Sequence, residues 1–365
     1  MKKAHGGYLL GVQLPSPEVI GINLDGRELT ITLNSYGVGI EKKKYKSART
    51  GEDDYTYCNM QDNAAAFEGW ALVFKTKCDE VDKVILDVKD DVKLDIPIKG
   101  KNLHYNRFLF RAMMFEKCYS EWFKLSSKIK EMIYDDKDSF IKIFGGEKAL
   151  FNNKATKIAE PVDVNVTDIC KAREVELECW LAKPEQNKNL YRQLPMGIFI
   201  TDDKTMIPDS NYAVFTHDKS ALDLWEIKSD TMHIYELKKY GNKQIGALSE
   251  LFFYACVCHG LFCDNKVAFN FKPIKAGVSE PPSEEEMDII RGYHILYKKA
   301  YNNEIKRISA RLLVPVESGN EVSKSLHSAV KPKIFEIMQS AYCSEIGIHF
   351  ETPAFFGEDG KIRTC

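Results

Sequence analysis

The chain has 365 residues, 44% of them hydrophobic and 28% charged, with a formal net charge of −2. That is the composition of an ordinary globular protein long enough for two or more domains, and it excludes whole-chain electrostatic attraction to nucleic acid, so any such surface is local. No stretch approaches the ~20 apolar residues of a membrane helix, and the apolar patch after Gly7 is broken by Gln13 and Pro15, so no export signal is read and the 10 cysteines are expected as reduced thiols in the cytoplasm.

Residues 19–34 (VIGINLDGRELTITLN) alternate around Asp25-Gly26 and predict a hairpin. A basic run follows, with Lys42, Lys43, Lys44 and Lys46. It is a candidate DNA contact, although a solvated loop is the preferred reading. The polar stretch GEDDYTYCNMQDN reads as a loop, and residues 81–99 read as a further pair of strands. The first region, 1–103, is thus expected to be a β-rich domain. Residues 105–134 predict one long helix with a stripe of Phe108, Met114, Phe115, Tyr119, Trp122 and Phe123. Such a stripe is most often core, with a subunit interface as the second reading. Residues 151–167 look like a linker, which makes 104–167 a helical connector and linker.

The third region, 168–365, opens on Asp168 as an expected helix N-cap. Glu174 and Glu178 are four residues apart and so share a helical face. Residues 221–238 predict a hairpin, and a helix is expected from Gln244 to Cys258, with Glu250 and Tyr254 on one side. Next come a strand (KVAFNFKPI), a helix (SEEEMDIIRGYHILYKKAY), a strand (RISARLLVPV), a helix (PKIFEIMQSAY) and a strand (EIGIHFE). Strands alternating with helices predict an α/β fold with a mixed sheet. Cys256, Cys258, His259 and Cys263 could suggest a metal site, but their spacing matches no standard zinc pattern, and buried thiols are the expected reading. There is no His-Glu-x-x-His, no phosphate-binding Gly-rich loop and no Gly-x-Ser-x-Gly.

The chemistry concentrates in ALDLWEIKSDTMHIYELK, residues 221–238. If Ser229-Asp230 is a two-residue loop, Lys228 pairs with Thr231 and Asp223 falls opposite Glu236, with Cβ atoms roughly 4.5–5.5 Å apart. Lys238, two residues beyond Glu236, points to the same face. Ser-Asp is a weaker hairpin loop than Asn-Gly, so a longer loop or a shifted register stays open. So does a simple solvated face, against which Trp225, Ile227 and Ile234 argue. Two opposed carboxylates repel, and a hard divalent cation such as Mg²⁺ or Mn²⁺ removes the conflict. A lysine beside such a cation can orient water or stabilise phosphate charge, which points to phosphodiester hydrolysis.

An aspartate on one strand followed by Glu-x-Lys on the next resembles the PD-(D/E)xK nuclease superfamily. Downstream, GALSELFFYACVC resembles the helix that follows Glu-x-Lys in these enzymes, with Glu250 and Tyr254 at the spacing of its Gln-x-x-x-Tyr and a glutamate in place of the glutamine. Upstream, REVELECWLAKPE resembles the opening helix of the mismatch-endonuclease branch and of the Shedu antiviral nucleases, matched by Glu174, Leu177, Glu178, Trp180, Leu181 and Pro184. A literal Pro208-Asp209 exists, but TMIPDSN reads as a turn. The resemblance covers roughly 168–275. It implies a restriction-endonuclease-like sheet and a metal-dependent DNA endonuclease, with RNA a lesser expectation. Asp223, Glu236, the Leu237 carbonyl and Glu174 would hold the metal. Lys238 would position water or stabilise charge, and Glu250 and Tyr254 would support the site. The added N-terminal region suggests an antiviral defence or restriction effector in a homo-oligomer. The alternative is a nuclease-fold binding or interaction module without catalysis.

Overall fold

The computed structural model describes residues 8–9, 12–13, 20–46, 51–90, 92, 102–135, 149–152, 164–201, 211, 213–215, 221–242, 244–263, 292–316, 326, 330 and 332–364. Two short strands, β1 (Tyr8–Leu9) and β2 (Val12–Gln13), pair first. The expected hairpin follows as β3 (Ile20–Asp25) and β4 (Glu28–Leu33), with Gly26 at φ +57° in its turn. Alternation sends Leu29, Ile31 and Leu33 into the core.

The polar stretch expected as a loop instead contributes a strand: β5 (Lys42–Lys46) and β6 (Asp53–Tyr57) form a two-stranded ribbon. The first region, expected to be β-rich, also holds a helix the sequence reading omits, α1 (Phe67–Lys77), in which Phe67 through Phe74 are all buried. A helix covered on every side has no polar stripe and so no amphipathic period to detect. Residues 81–99 yield one strand, β7 (Lys83–Val88), parallel to β4; residues 93–100 lie outside the described residues. The single helix expected over 105–134 is also corrected. α2 (Leu103–Cys118) stops, β8 (Phe123–Leu125) pairs parallel with β7, and the short α3 (Ser127–Lys130) begins under the Ser126 cap. The apolar stripe misleads because Phe123 and Leu125 continue it at strand spacing. The first sheet has the order β3-β4-β7-β8, and α1 and α2 make its parallel crossovers.

β9 (Ala149–Asn152) reaches into the expected linker, whose residues 153–163 lie outside the described residues. Asp168 does not cap a helix. Its Oδ1 accepts from the Cys170 and Lys171 amides at 3.0 and 3.3 Å, and α4 (Glu174–Leu181) starts later, at Arg173. Then come β10 (Tyr191–Pro195), β11 (Ile198–Thr201, paired with β9), β12 (Ala221–Lys228), β13 (Thr231–Leu237) and α5 (Gly246–Phe262). The expected strand at 266–274 and the dipeptide Pro208-Asp209 lie outside the described residues, as does the first half of the following helix. Its second half is α6 (Tyr293–Tyr301), followed by β14 (Arg307–Pro315). The helix expected over PKIFEIMQSAY breaks into α7 (Pro332–Met338) and α8 (Ala341–Ile346), because Ser340 caps the second through the Cys343 amide at 3.1 Å. β15 (Ile348–Phe350), β16 (Ala354–Phe356) and β17 (Ile362–Thr364) complete the chain.

The second sheet is mixed, as expected of an α/β fold, with order β10-β12-β13-β14-β16-β17 and β15 beside β14. β10, β12 and β13 run antiparallel, and β13 and β14 run parallel. α4 covers one face, where Leu177, Trp180 and Leu181 meet Tyr235, Leu237 and Leu313. α5 covers the other and is buried along all 17 of its residues. Its far side meets the first layer: Phe252 packs on Phe115 and Tyr119 with ring centroids 5.1 and 6.1 Å apart, and Phe253 on Phe110 at 5.9 Å. Gly246 is required where α5 begins, since a Cβ there would lie 2.0 Å from the Gln61 carbonyl oxygen. Among the described residues no helix is long and apolar enough to cross a membrane.

Candidate active site

The β12–β13 hairpin turns at Ser229-Asp230, with Lys228 paired to Thr231 and the same register holding to Leu224 opposite Tyr235. Ser229 adopts φ +56°, the left-handed conformation that two-residue hairpin loops demand. One step further along this register, Asp223 falls opposite Glu236. Trp225, Met232 and Ile234 join the core beneath α5, whereas Leu224, Tyr235 and Leu237 join the core beneath α4. The alternation therefore puts Glu236 and Lys238 on the α5 side, with Asp223 at the same end of the hairpin.

Lys238 lies at the end of β13, where its amide donates to the Leu313 carbonyl at 2.9 Å. Its buried Nζ donates to Glu236 Oε1 at 2.6 Å and to Glu250 Oε2, in the second turn of α5, at 2.7 Å. The Leu237 amide donates to Asp223 Oδ2 at 2.9 Å. Tyr254, one turn beyond Glu250, is buried beside them. Glu236 Oε2 is buried with no hydrogen-bond partner. Glu174 sits at the rim: its Oε1 accepts from the Lys239 amide at 3.1 Å, and it lines a cleft of about 420 Å³ together with Gln61, Lys238, Lys239, Asn242 and Gln244.

The electrostatics are those of too many carboxylates in too little water. Burial, with help from Asp223 and Glu250, holds the Glu236 carboxyl well above the usual range against the opposing pull of Lys238. Burial likewise pushes Asp223 up to about 8. Burial opposes the Lys238 ammonium, but Glu236, Glu250, Asp223 and Glu174 outweigh it and keep the amine protonated. Tyr254 is raised by burial and by the same carboxylates, so its phenol stays neutral.

Sequence reasoning sets Glu174 and Glu178 on one helical face, either of them able to complete the metal shell, and chooses Glu174. Glu178 is buried and accepts from Arg192 Nε at 3.1 Å and from Gln193 Nε2 at 2.6 Å, and its charge acts on Asp223. Gln193 has φ +51° and drops out of the β10–β12 ladder at the position that would face Asp223. No residue pattern announces that kink. Arg107 also escapes a reading of the sequence. It sits immediately before the apolar run FLFRAMM, it is buried, and its guanidinium acts on Glu250 and Tyr254.

The donor set suits a hard cation: carboxylate oxygens outnumber the groups that neutralise them, and one buried oxygen has no partner. Among the described residues, no three His, Cys, Asp or Glu side chains gather around one point tightly enough to hold a metal as they stand. Lys238 bridges Glu236 and Glu250, and Asp223 is engaged by the Leu237 amide. Cys256, Cys258 and His259 are buried in α5, and Cys263 is half-buried at its end. The Cys256 thiol meets Cys118 of α2, which also meets Cys343 of α8. No family model matches this chain, and no curated protein or solved structure matches it significantly.

Proposed function

We propose that this chain is a metal-dependent nuclease of the PD-(D/E)xK type that hydrolyses DNA phosphodiester bonds, with RNA a lesser substrate, and that it serves in the cytoplasm as an antiviral defence or restriction effector within a homo-oligomer. The observation that carries this reading is the hairpin register. Its pairs run to Leu224 opposite Tyr235, so the next residues, Asp223 and Glu236, lie at the same end of the hairpin, with Lys238 bonded to Glu236 at the edge of a cleft.

Asp223 and Glu236, with the Leu237 carbonyl and Glu174, would hold Mg²⁺ or Mn²⁺, which when bound supplies Lewis acidity to the scissile phosphate and to the attacking water. The Lys238 ammonium, kept charged by its carboxylate neighbours, donates hydrogen bonds to charge that grows on the phosphate or orients the water. Glu250 fixes the direction of that ammonium by taking one of its N–H bonds. Tyr254 stays a neutral hydrogen-bonding group beneath the site. Lys239 and Arg173 at the cleft attract the anionic backbone.

A second reading keeps the fold without the reaction, as a nucleic-acid-binding or interaction module. One observation favours it: Glu250, where the resemblance has glutamine, shares Lys238 with Glu236, so the lysine is engaged by two carboxylates. Plasmid, linear and single-stranded DNA incubated with and without Mg²⁺ or Mn²⁺ separates the two. Cation-dependent cleavage is expected, falling by about 10²–10³-fold or more in Asp223→Ala, Glu236→Ala and Lys238→Ala, each with a cooperative melt retained. Full cleavage by Glu236→Ala would refute the assignment.

A further inference from the structure

The β5–β6 ribbon is solvated along both strands; only Tyr57 is half-buried. A two-stranded ribbon with no core of its own is marginal in water, yet this one places large aromatics there, with Tyr55 56% and Tyr45 44% exposed. Its register pairs Lys42 with Tyr57, Lys44 with Tyr55 and Lys46 with Asp53. Alternation then collects Lys42, Lys44, Lys46, Tyr55 and Tyr57 on one face. The acid among those paired residues on that face is Asp53, bridged to Lys44 at 2.6 Å.

The root of the ribbon is the wall of the cleft. The chain leaving Tyr57 runs through Asn59, Gln61 and Asn63. Gln61 lines the cleft, and Asn63 Oδ1 accepts from the Ile245 amide at 2.9 Å, where α5 begins. The Tyr57 ring stacks on His104 with centroids 5.1 Å apart, and His104 Nδ1 lies 3.1 Å from Arg107 Nη2. Arg107 donates to Asn59 Oδ1 at 3.0 Å and acts electrostatically on Glu250. The ribbon is therefore built into the same packing that fixes Glu250 and Lys238.

We propose that the β5–β6 ribbon binds single-stranded DNA and delivers it to the cleft at Lys238, an inference that rests on the nuclease reading. The lysine row neutralises consecutive phosphates, and Tyr55 offers its ring to a base. An unpaired strand is chosen over a duplex because stacking on Tyr55 needs an open base face, which base pairing and base stacking conceal. The ribbon supplies the local basic surface that a net charge of −2 requires.

The test is fluorescence anisotropy of a labelled oligothymidylate with the full chain in EDTA, which reads binding without cleavage, over a salt series. Lys42→Ala/Lys44→Ala/Lys46→Ala is expected to weaken binding at least tenfold and to flatten the slope of log K against log salt by about 2, at ~0.7 for each phosphate left without its lysine. Tyr55→Ala is expected to weaken it about tenfold with the slope unchanged, and Tyr55→Trp to restore it. Lys83→Ala/Lys128→Ala/Lys130→Ala, which removes equal charge from β7 and α3, is expected to bind as the parent does. The inference is overturned if the parent does not bind, if the ribbon variants bind normally, or if a duplex of the same length binds as tightly. Silent ribbon variants alongside Mg²⁺-dependent cleavage would sink the ribbon and leave the nuclease. Ribbon-dependent binding without any cleavage would do the reverse.

Discussion

Asp223 and Glu236 are where folding and chemistry conflict. Glu236 is buried and Asp223 half-buried, and the two carboxyls act on each other beside a third carboxylate from Glu250. The direction of the consequence follows from linkage. Asp223 ionises near 3.8 in the unfolded chain but only near 8 in the fold. Between those values the folded protein keeps a proton that the unfolded chain has released. Without metal, stability therefore falls as pH rises through that window, by up to ~1.4 kcal/mol per pH unit for each such group. Urea melts in EDTA at pH 5, 6, 7 and 8 should show Asp223→Asn gaining steadily on the parent as pH rises. A stability difference that stays constant across the series would show that Asp223 does not titrate there. At this scale the residues opposed across the hairpin were legible, because strand parity alone assigns them to a face. The bonds from Arg192 and Gln193 to Glu178 were not, because they depend on one residue adopting a left-handed backbone.

Elements were legible in proportion to how clearly they separate an apolar side from a polar one. The β3–β4 and β12–β13 hairpins and β14 show alternation or a bounded apolar run, and they form where that pattern predicts. α1 has no polar face, so its helical period is invisible. The 105–134 stripe hides a change from helix to strand because an aromatic residue suits either buried surface. The β12–β13 turn itself retains strain. Ser229 is exposed and holds φ +56°, a conformation that disfavours side chains with a Cβ. Ser229→Gly should therefore raise the urea midpoint, with a gain of about 0.5–1 kcal/mol at unchanged m-value. An unchanged or lower midpoint would mean that the turn relaxes in solution to another geometry, and the register that opposes Asp223 to Glu236 would lose its anchor.

At the scale of the whole chain, α5 is the shared centre. It lies on the second sheet with one side and with the other takes the rings of Phe110 and Phe115 from α2 and of Tyr119 at its C-cap. Hydrogen bonds also cross between the layers, among them those from Tyr119 Oη to the Met338 carbonyl at 2.7 Å and from Asn106 Nδ2 to the Val214 carbonyl at 2.9 Å. Resemblance alone places the chemistry in 168–365, yet the helix carrying Glu250 and Tyr254 is covered by residues from before 120. Stripping that cover would expose Phe252 and Phe253, each worth about 1.5–3 kcal/mol when buried. With the neighbouring side chains of α5, that loss is comparable to the 5–15 kcal/mol that holds a typical domain together. A fragment spanning 168–365 should therefore elute as aggregates, bind a hydrophobic dye and lack a cooperative melt, and co-expression with 1–167 should recover a soluble complex. A monomeric fragment with a sharp melt would show that the second sheet and α5 fold without the first layer, and that Glu250 and Lys238 are held by the second sheet alone.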